Sequence, residues 1–206
     1  MSKHAIEVIA SLTHGIQSPI QAVRNELLVQ YTDVAKVVLP QVSSQTLSEI
    51  DTPWTVSFQP GRGAPESATF DKLASLTESP VFGIKYFSGA ATYSNTFRLK
   101  KKEIKDQDAV ILDLGDVKDL AEVTVNGRNM GVYWNAPFKV DITDAVRGGT
   151  NTIEIKVVNM WHNRLVGDVQ PDATETITYT QMEFFKPDEP LLPAGLLGPV
   201  KVTGIK

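Results

Sequence analysis

The stretch AEVTVNGRNMGVYWNAPFKVDIT, residues 121–143, decides the fold of this chain. Its first part alternates, so that Ala121, Val123 and Val125 fall on one face of an extended strand. Its last part, FKVDIT, alternates in the same way, and this period of two is typical of strands with one buried and one wet face. Between them, Asn126-Gly127 supplies the positive-φ residues of a tight turn, so the stretch predicts an antiparallel hairpin.

The same period continues on both sides of this stretch. WTVSF at 54–58 and TIEIKVV at 152–158 alternate apolar and polar residues, so each predicts a strand that buries one face. AVILDLG at 109–115 is apolar on both faces, which is typical of a strand in the middle of a sheet. YFSGAATYSNTFRL at 86–99 and ITYTQMEFF at 177–185 are rich in Thr and aromatic residues and predict two more strands.

Glycine and proline separate these strands at short intervals. Gly148-Gly149 indicates a second turn, and FDKLASLTES at 70–79 predicts one short helical turn. No further helix is predicted after residue 50. Short strands with this punctuation predict an all-β chain folded as an antiparallel β-sandwich, with Trp54 in its core.

The composition excludes several classes of function. The 206 residues carry 20 basic and 24 acidic side chains, a net charge of −4 without a basic stripe, so no nucleic-acid partner is expected. The chain has no cysteine, which excludes disulfides, thiolate catalysis and zinc–thiolate sites. No apolar run is long enough for a membrane span, and the first residues lack a signal-peptide core.

The first fifty residues allow two interpretations. SPIQAVRNELLVQY at 18–31 begins with a helix-start pattern, and apolar residues follow near helical spacing. The same region also contains ELLVQYT at 26–32 and AKVVLP at 35–40, which are rich in β-branched residues and predict two strands. PQVSSQTLSEIDTP at 40–53 is polar and flanked by prolines, so it predicts a linker.

Five stretches together carry a resemblance to a known family. They are WTVSFQPGRGAPESATFDKLASLTES, GIKYFSGAATYSNTF, ILDLGDVKDLAEVTVNGRNMGVYWNAPFKVDITDAV, NTIEIKVVNMWHNRLVGD and LLPAGLLGPVKV. In this order they resemble the C-terminal galactose-binding-like domain of α-L-rhamnosidases of glycoside hydrolase family 106. The opening stretch, residues 121–143, is also similar to the sugar-binding sandwich domain of family 2 glycosidases.

The resemblance implies a galactose-binding-like jelly roll over residues 51–206. It implies that residues 1–50 are the tail of a preceding β-rich module plus a linker, and so favours strands there. In the family the catalytic carboxylates lie in a separate barrel domain. The expected partner is therefore the catalytic domain of a larger hydrolase, or a carbohydrate, and that parent protein is expected in the periplasm or outside the cell.

No catalytic residue is predicted in this chain. Glycoside hydrolysis needs two carboxylates about 5–10 Å apart across a cleft. The acidic candidates fall mostly in turns or at outward strand positions, and they are Asp113, Asp116, Asp119, Glu122, Asp141, Asp144 and Asp168. Asp113 alone lies within a largely apolar strand, where hydrogen bonding at the strand end is the simpler explanation.

No metal or cofactor is predicted either. The histidines are His4, His14 and His162, and they show neither metal-ligand spacing nor a hydrolytic triad. The question of a structural calcium ion in a loop of the sandwich stays open, because the sequence identifies no ligand set for it.

Carbohydrate contact is the sharper functional hypothesis. Aromatic faces pack against the C–H face of a pyranose, while amide and charged groups bind its hydroxyls. Such residues cluster after two predicted strands, and the candidate carbohydrate-binding residues are Trp134, Asn135, Trp161, His162, Asn163, Arg164 and Asp168. The competing interpretation for both tryptophans is core or interdomain packing.

The stretch NMWHNRLVGD at 159–168 also has a structural interpretation. We predict that Asn163 to Asp168 form a loop closing one end of the sandwich. An Arg fork and a carboxylate match geometrically, so Arg164 and Asp168 are expected to pair, partly buried and shielded by Trp161 and Leu165.

Three functions therefore stay open at the level of sequence. The leading one is a non-catalytic module of a bacterial, α-L-rhamnosidase-like glycoside hydrolase, supporting or docking to a catalytic domain. The second is a free-standing carbohydrate-binding module with a weak site near Trp134 and Trp161. The third is a structural or protein-interaction domain without affinity for sugars.

Overall fold

The computed structural model describes residues 28–29, 37–38, 43–181 and 184–206. Strands dominate this part of the chain. They are β1 (Leu28–Val29), β2 (Val37–Val38), β3 (Ser44–Glu49), β4 (Trp54–Phe58), β5 (Ser67–Phe70), β6 (Ala90–Leu99), β7 (Ala109–Asp113), β8 (Asp116–Lys118), β9 (Leu120–Val125), β10 (Arg128–Tyr133), β11 (Lys139–Asp141), β12 (Gly149–Val158), β13 (Gly195–Gly198) and β14 (Lys201–Ile205).

The strands form a sandwich of two main antiparallel sheets. The larger sheet has six strands in the order β10-β9-β12-β6-β4-β5, and the smaller has four in the order β11-β7-β14-β3. A further pair, β13-β8, and a separate pair, β1-β2, complete the described strands. This architecture confirms the predicted all-β, antiparallel sandwich.

The core lies between the two sheets and follows from the alternation of the sequence. In β4 and β12 the buried and exposed positions alternate strictly. The inward residues of both sheets therefore meet in one apolar cluster, which includes Trp54, Val123, Ile155, Leu112 and Val140. Trp54 is buried, as predicted, and β7 lies between β11 and β14, the central position expected from its two apolar faces.

The predicted hairpin turn is present between β9 and β10. Asn126 and Gly127 have φ angles of 50° and 78°, the left-handed conformations that a tight hairpin turn requires. The Asn126 side chain also donates to the Ala145 carbonyl at 2.8 Å and to Asn151 Oδ1 at 2.7 Å. The turn is thus fixed both by its backbone and by a side chain that reaches the neighbouring connection.

Helices are more numerous than the sequence predicts. The expected helical turn is a 3₁₀ helix, Leu76–Glu78, with Ser75 as its cap. Beyond it the chain forms α1 (Phe82–Lys85), α2 (Lys101–Lys105) and α3 (His162–Asp168). The prediction of no further helix was wrong, because helices this short leave almost no periodic pattern in a sequence.

Two predictions for the N-terminal region can be compared with the structure. Leu28–Val29 pairs with Val37–Val38, in agreement with the strand interpretation at those residues. The rest of 18–31 lies outside the described residues. The predicted linker over 40–53 was wrong for Ser44–Glu49, because β3 pairs with β14 along the edge of the smaller sheet and satisfies its backbone there.

The predicted strand at 177–185 is also absent from residues 177–181, 184 and 185. Both sheets already end in other edge strands, namely β5 and β10 in the larger sheet and β3 and β11 in the smaller. The backbone N–H groups of Ile177 and Thr178 instead donate to the Asp168 carboxylate. A side chain has thus taken the hydrogen bonds that a sheet would have supplied.

Within the part of the chain that the structure describes, no helix is long and apolar enough to cross a membrane.

Candidate functional site

The strand order brings the two candidate tryptophans to the same end of the larger sheet. Trp134 follows the last residue of β10, which runs antiparallel to β9. The first residue of β9, Leu120, pairs with Val158 at the end of β12, and Trp161 comes three residues later. We call this region, defined by Trp134, Asn135 and Trp161, the aromatic end.

Trp134 projects into solvent at the aromatic end. Its side chain is 74% exposed, which is unusual for an indole. Asn135 beside it is also exposed, and its amide nitrogen lies 3.5 Å from the Ala136 carbonyl oxygen, too far for a strong hydrogen bond. Both side chains are therefore available to a ligand.

Trp161 is partly exposed and partly covered by a cation. Its side chain is 44% exposed, and the guanidinium carbon of Arg62 lies 4.4 Å from its ring centroid. This distance is typical of a cation–π contact. Arg62 stands between Gly61 and Gly63 in the turn after β4, so the contact joins that turn to the aromatic end.

His162, the residue after Trp161, contacts two residues that are distant in sequence. His162 Nε2 lies 2.9 Å from the carbonyl oxygen of Pro190, and its ring meets Phe185 edge to face with centroids 5.5 Å apart. Both partners belong to the long connection between α3 and β13. We call its described residues, 169–181 and 184–194, the strap.

Asn163 holds the same strap from inside the protein. Its side-chain amide donates to the Leu192 carbonyl at 2.7 Å and its oxygen accepts from the Leu192 N–H at 2.9 Å. Asn163 is buried, so this paired bond replaces the ladder bonds that Leu192 would make in a sheet. With its side chain engaged in the interior, Asn163 has no free surface to offer a sugar.

Arg164 and Asp168 form a buried ion pair. Their charged atoms lie 2.7 Å apart, and their side chains are only 1% and 5% exposed. The predicted pairing is confirmed, but two details were wrong. The pair stands at positions i and i+4 of helix α3 rather than in a loop, and burial is nearly complete because Phe82 and the Gly63 turn cover the guanidinium.

Asp168 fixes the strap at Ile177 and Thr178. It accepts hydrogen bonds from the N–H groups of Ile177 at 3.2 Å and Thr178 at 2.7 Å, and from the Thr178 hydroxyl. Burial works against the charge of Asp168, but these hydrogen bonds and the Arg164 charge outweigh it, so the pKa of Asp168 is lowered. The carboxylate stays ionised and serves the fold.

Ser88 and Asn159 also fix the aromatic end, and neither was predicted from the sequence. The Ser88 hydroxyl donates to the Met160 carbonyl at 2.8 Å and accepts from the Arg164 N–H at 3.3 Å. Asn159 donates to the Phe87 carbonyl and accepts from the Gly89 N–H, each at 2.9 Å. Their only sequence signal is polarity beside a strand end.

Several of the acidic residues considered for catalysis have structural partners. Asp113 accepts from the Gly115 N–H at 3.0 Å and lies 3.6 Å from the Lys139 amine, which supports the strand-end interpretation. Asp119 accepts from the Met160 N–H at 3.2 Å. Glu122 is bonded to Lys156 and Asn129, which lower its pKa, so it is ionised and unsuited to donate a proton as a general acid.

The described residues contain no group of three or more His, Asp or Glu side chains arranged to hold a metal ion. The described loops therefore provide no ligand set of this kind for the calcium ion that the sequence left open.

Comparison with known proteins identifies the type of domain. A family model described as the glycosyl hydrolase 2 galactose-binding domain-like family matches residues 82–183, from α1 through α3 into the strap. A rhamnosidase from Novosphingobium sp. PP1Y, known as a solved structure, is 43% identical, covers 85% of this chain and superposes with a TM-score of 0.77. This chain covers 16% of that protein.

Two further proteins are similar to this chain. A protein of Formosa agariphila named "Putative beta-glucuronidase" is 37% identical over 73% of this chain, which covers 15% of that relative. A beta-glucuronidase of Ruminococcus gnavus shares the fold, with a TM-score of 0.56 at 15% identity over 85% of this chain and 30% of its own. The chain thus spans about a sixth of the length of the rhamnosidase and of the Formosa relative.

Proposed function

We propose that this chain is a non-catalytic β-sandwich module of a bacterial glycoside hydrolase, which supports or docks to the catalytic domain, since residues 82–183 match the family model of the glycosyl hydrolase 2 galactose-binding domain-like family. One observation carries the proposal. The chain matches a single β-sandwich region that makes up about a sixth of its larger relatives.

The chemistry of the acidic residues supports a non-catalytic role. A glycosidase needs one carboxyl group kept protonated as an acid and a second carboxylate facing it. Asp168 and Glu122 instead have lowered pKa values, and each is bonded to a cation of the same chain. Their arrangement suits the stability of the sandwich rather than proton transfer to a leaving group.

For the parent enzyme we propose an α-L-rhamnosidase-like hydrolase. The support is the 43% identity and the TM-score of 0.77 to the Novosphingobium rhamnosidase. The beta-glucuronidases of solved structure share only 15–19% identity with this chain, so they support the fold alone. The Formosa relative named "Putative beta-glucuronidase" is 37% identical, below the 43% of the rhamnosidase, so rhamnosidase-like activity is the better supported class for the complete enzyme.

A domain exchange tests this function. The equivalent sandwich of the Novosphingobium rhamnosidase is replaced by residues 43–206 of this chain, and hydrolysis of an aryl α-L-rhamnoside is compared with a version that lacks the sandwich. We expect the exchange to retain most of the activity that the deletion loses. Equal losses in the exchanged and deleted proteins would contradict a supporting role.

A second candidate function is carbohydrate binding by the sandwich itself. The exposure of Trp134 and the partial exposure of Trp161 favour it, because both indoles remain accessible at one end of the sheet. A shallow site of this kind gives dissociation constants of roughly 0.1–1 mM, in line with few contacts. Nuclear magnetic resonance titration with oligosaccharides tests it, and unchanged spectra of both indole N–H groups would contradict it.

A further inference from the structure

The register of the larger sheet places apolar residues in one row on its outer face. Val158 pairs with Leu120 on one side and with Ala90 on the other. Tyr133, the last residue of β10, pairs with Ala121, and Trp134 follows it directly, beyond the paired residues. Leu120, Val158 and Ala90 therefore form an apolar row across three strands, about 10 Å long for two interstrand spacings, and Trp134 extends this row past the end of β10.

This row belongs to the solvent face of the sheet. The neighbouring residues Ala121, Val157 and Ala91 are buried in the core, so the row points the opposite way. Val158 is exposed, and Leu120 and Ala90 are half-buried. An apolar strip ending in an exposed indole is therefore open to solvent.

The next row on the same face is polar and already ordered. By register it runs Glu122, Lys156, Thr92 and Ser57 across four strands. Lys156 donates to Glu122 at 3.2 Å, and Asn129 donates to the other Glu122 oxygen at 2.8 Å. These bonds hold the polar groups beside the apolar row, where their remaining donors and acceptors face solvent.

A depression adjoins both rows. It is shallow and open, with a volume of about 520 Å³, and it is lined by Ala90, Thr92, Lys156 and Ser57 from the rows and by Phe58, Gln59 and Pro60 from the end of β4 and the turn after it. The flat strip thus leads into a concave space with hydroxyl, amide and amine groups.

We propose that the outer face formed by these two rows and the depression is a binding site for a neutral oligosaccharide. The chain of sugars lies across the strands, with pyranose C–H faces on the apolar row and hydroxyl groups on the polar row. This proposal rests on the carbohydrate contact proposed above. It places the centre of the site on the sheet rather than at Trp161. The length of the row suits several sugar units rather than one.

The charges on this face select the class of glycan. Lys156 is paired with Glu122, so the two neutralise each other, and Glu154 adds a negative charge in the following row. No cation on these rows is left to compensate a uronate. Neutral glycans therefore bind without the cost of placing an anion near uncompensated carboxylates.

The test is a titration of the isotopically labelled 206-residue chain with oligosaccharides. The neutral probes are short gluco-, xylo-, manno-, galacto- and rhamno-oligosaccharides, and an oligogalacturonate is the acidic probe. We expect at least one neutral series to shift the amide signals of Leu120, Val158 and Ala90 and the Trp134 indole, with weaker or no binding of the acidic probe. Trp134→Ala should weaken binding by about tenfold or more, as for an exposed aromatic anchor that contacts the ligand directly.

Two control variants separate the outcomes. Trp161→Ala removes the other indole of the aromatic end, and Tyr179→Ala removes an exposed aromatic ring of the strap; we expect both to bind like the parent chain. Loss of binding in Trp161→Ala but not in Trp134→Ala would overturn the proposal of a site on the outer face. It would leave intact the proposal that the sandwich binds carbohydrate. No shift with any neutral probe would overturn both, while the domain exchange still tests the module role independently.

Discussion

Arg164 and Asp168 show how one charged pair is used for structure alone. Both side chains are almost fully buried, and their neighbours are Phe82, Gly63 and Ile177 of the strap. The pairing could be anticipated from the chemistry of the two residues four positions apart. Its depth could not, because burial depends on segments distant in sequence that close over it.

The first prediction concerns removal of one member of this pair. Arg164→Ala or Asp168→Ala leaves the other charge buried and uncompensated, so each should lower the free energy of unfolding by about 3–5 kcal/mol. The double variant should lose less than the sum of the two, as measured by urea denaturation. Lys156→Ala, at an exposed ion pair, is the control and should change stability little.

Additive losses in this cycle would show that Arg164 and Asp168 act independently. Single variants as stable as the parent chain would contradict the structural role of the pair altogether.

The second prediction is the pH dependence that Asp168 contributes. Its pKa is lowered on folding, so its stabilisation is present above the unfolded-state value of about 3.9 and is lost as the pH falls through the lower folded value. Urea midpoints measured from neutral to acidic pH should therefore fall more steeply below about pH 4 for the parent chain than for Asp168→Asn. Parallel curves would contradict the lowered pKa.

At the scale of elements, the turn after β4 shows why two similar glycines are not equivalent. Gly61 and Gly63 both have left-handed φ angles, of 71° and 80°. A Cβ atom on Gly61 would meet nothing within 4 Å, whereas one on Gly63 would lie 2.7 Å from Ile177 Cδ1 and 3.0 Å from Arg164 Nη1. The turn packs directly against the strap and the buried arginine.

The third prediction follows from this contrast. Gly61→Ala carries only the backbone strain of a left-handed residue, roughly 1 kcal/mol. Gly63→Ala adds a clash with two packed side chains, so its melting temperature should fall clearly further than that of Gly61→Ala. Equal melting temperatures would show that the strap and Arg164 move aside without cost.

The fourth prediction concerns the anchor of the strap. Asn163→Ala leaves the N–H and carbonyl groups of Leu192 without their partner, which costs about 1–3 kcal/mol if they stay buried. The strap should then open locally, and limited proteolysis should cut near Leu192 faster than in the parent chain. Tyr179→Ala, which removes an exposed ring from the same strap, should leave the cleavage rate unchanged.

The sequence predicted some elements well and others poorly for physical reasons. Strands β4, β9 and β12 bury one face, so apolar and polar residues alternate along their sequences and predict them. Helix α3 has only seven residues, and its stability comes from Arg164, Asn163 and their distant partners rather than from a periodic pattern. The predicted strand at 177–185 failed because local propensity was overridden by the hydrogen bonds to Asp168.

The candidate carbohydrate-binding residues fall into two groups in the structure. Trp134 is exposed and Trp161 is partly exposed at one end of the sheet, and sugar contact by these two residues stays a prediction. The sequence placed Asn163, Arg164 and Asp168 in the same hypothesis, but the structure uses their side chains inside the protein. The outer-face row was missed because it depends on strand register, which no single stretch of sequence reveals.

At the scale of the whole molecule, the fold explains how a module can serve a hydrolase without performing its reaction. The core joins both sheets into one rigid support, and α3 with its side chains fixes a long strap across one end. The aromatic end and the outer sheet face remain open. On the proposed function, such a module contributes stability and surface, and we expect the reacting carboxylates in the catalytic domain of the parent enzyme.

The non-catalytic role is tested by measuring the turnover of aryl α-L-rhamnosides and aryl β-glucuronides by the isolated chain. We expect no release of the aryl group above that in buffer. Turnover that persists through stringent purification, and that disappears when one carboxylate such as Asp113, Asp119 or Glu122 is replaced by its amide, would contradict a non-catalytic module.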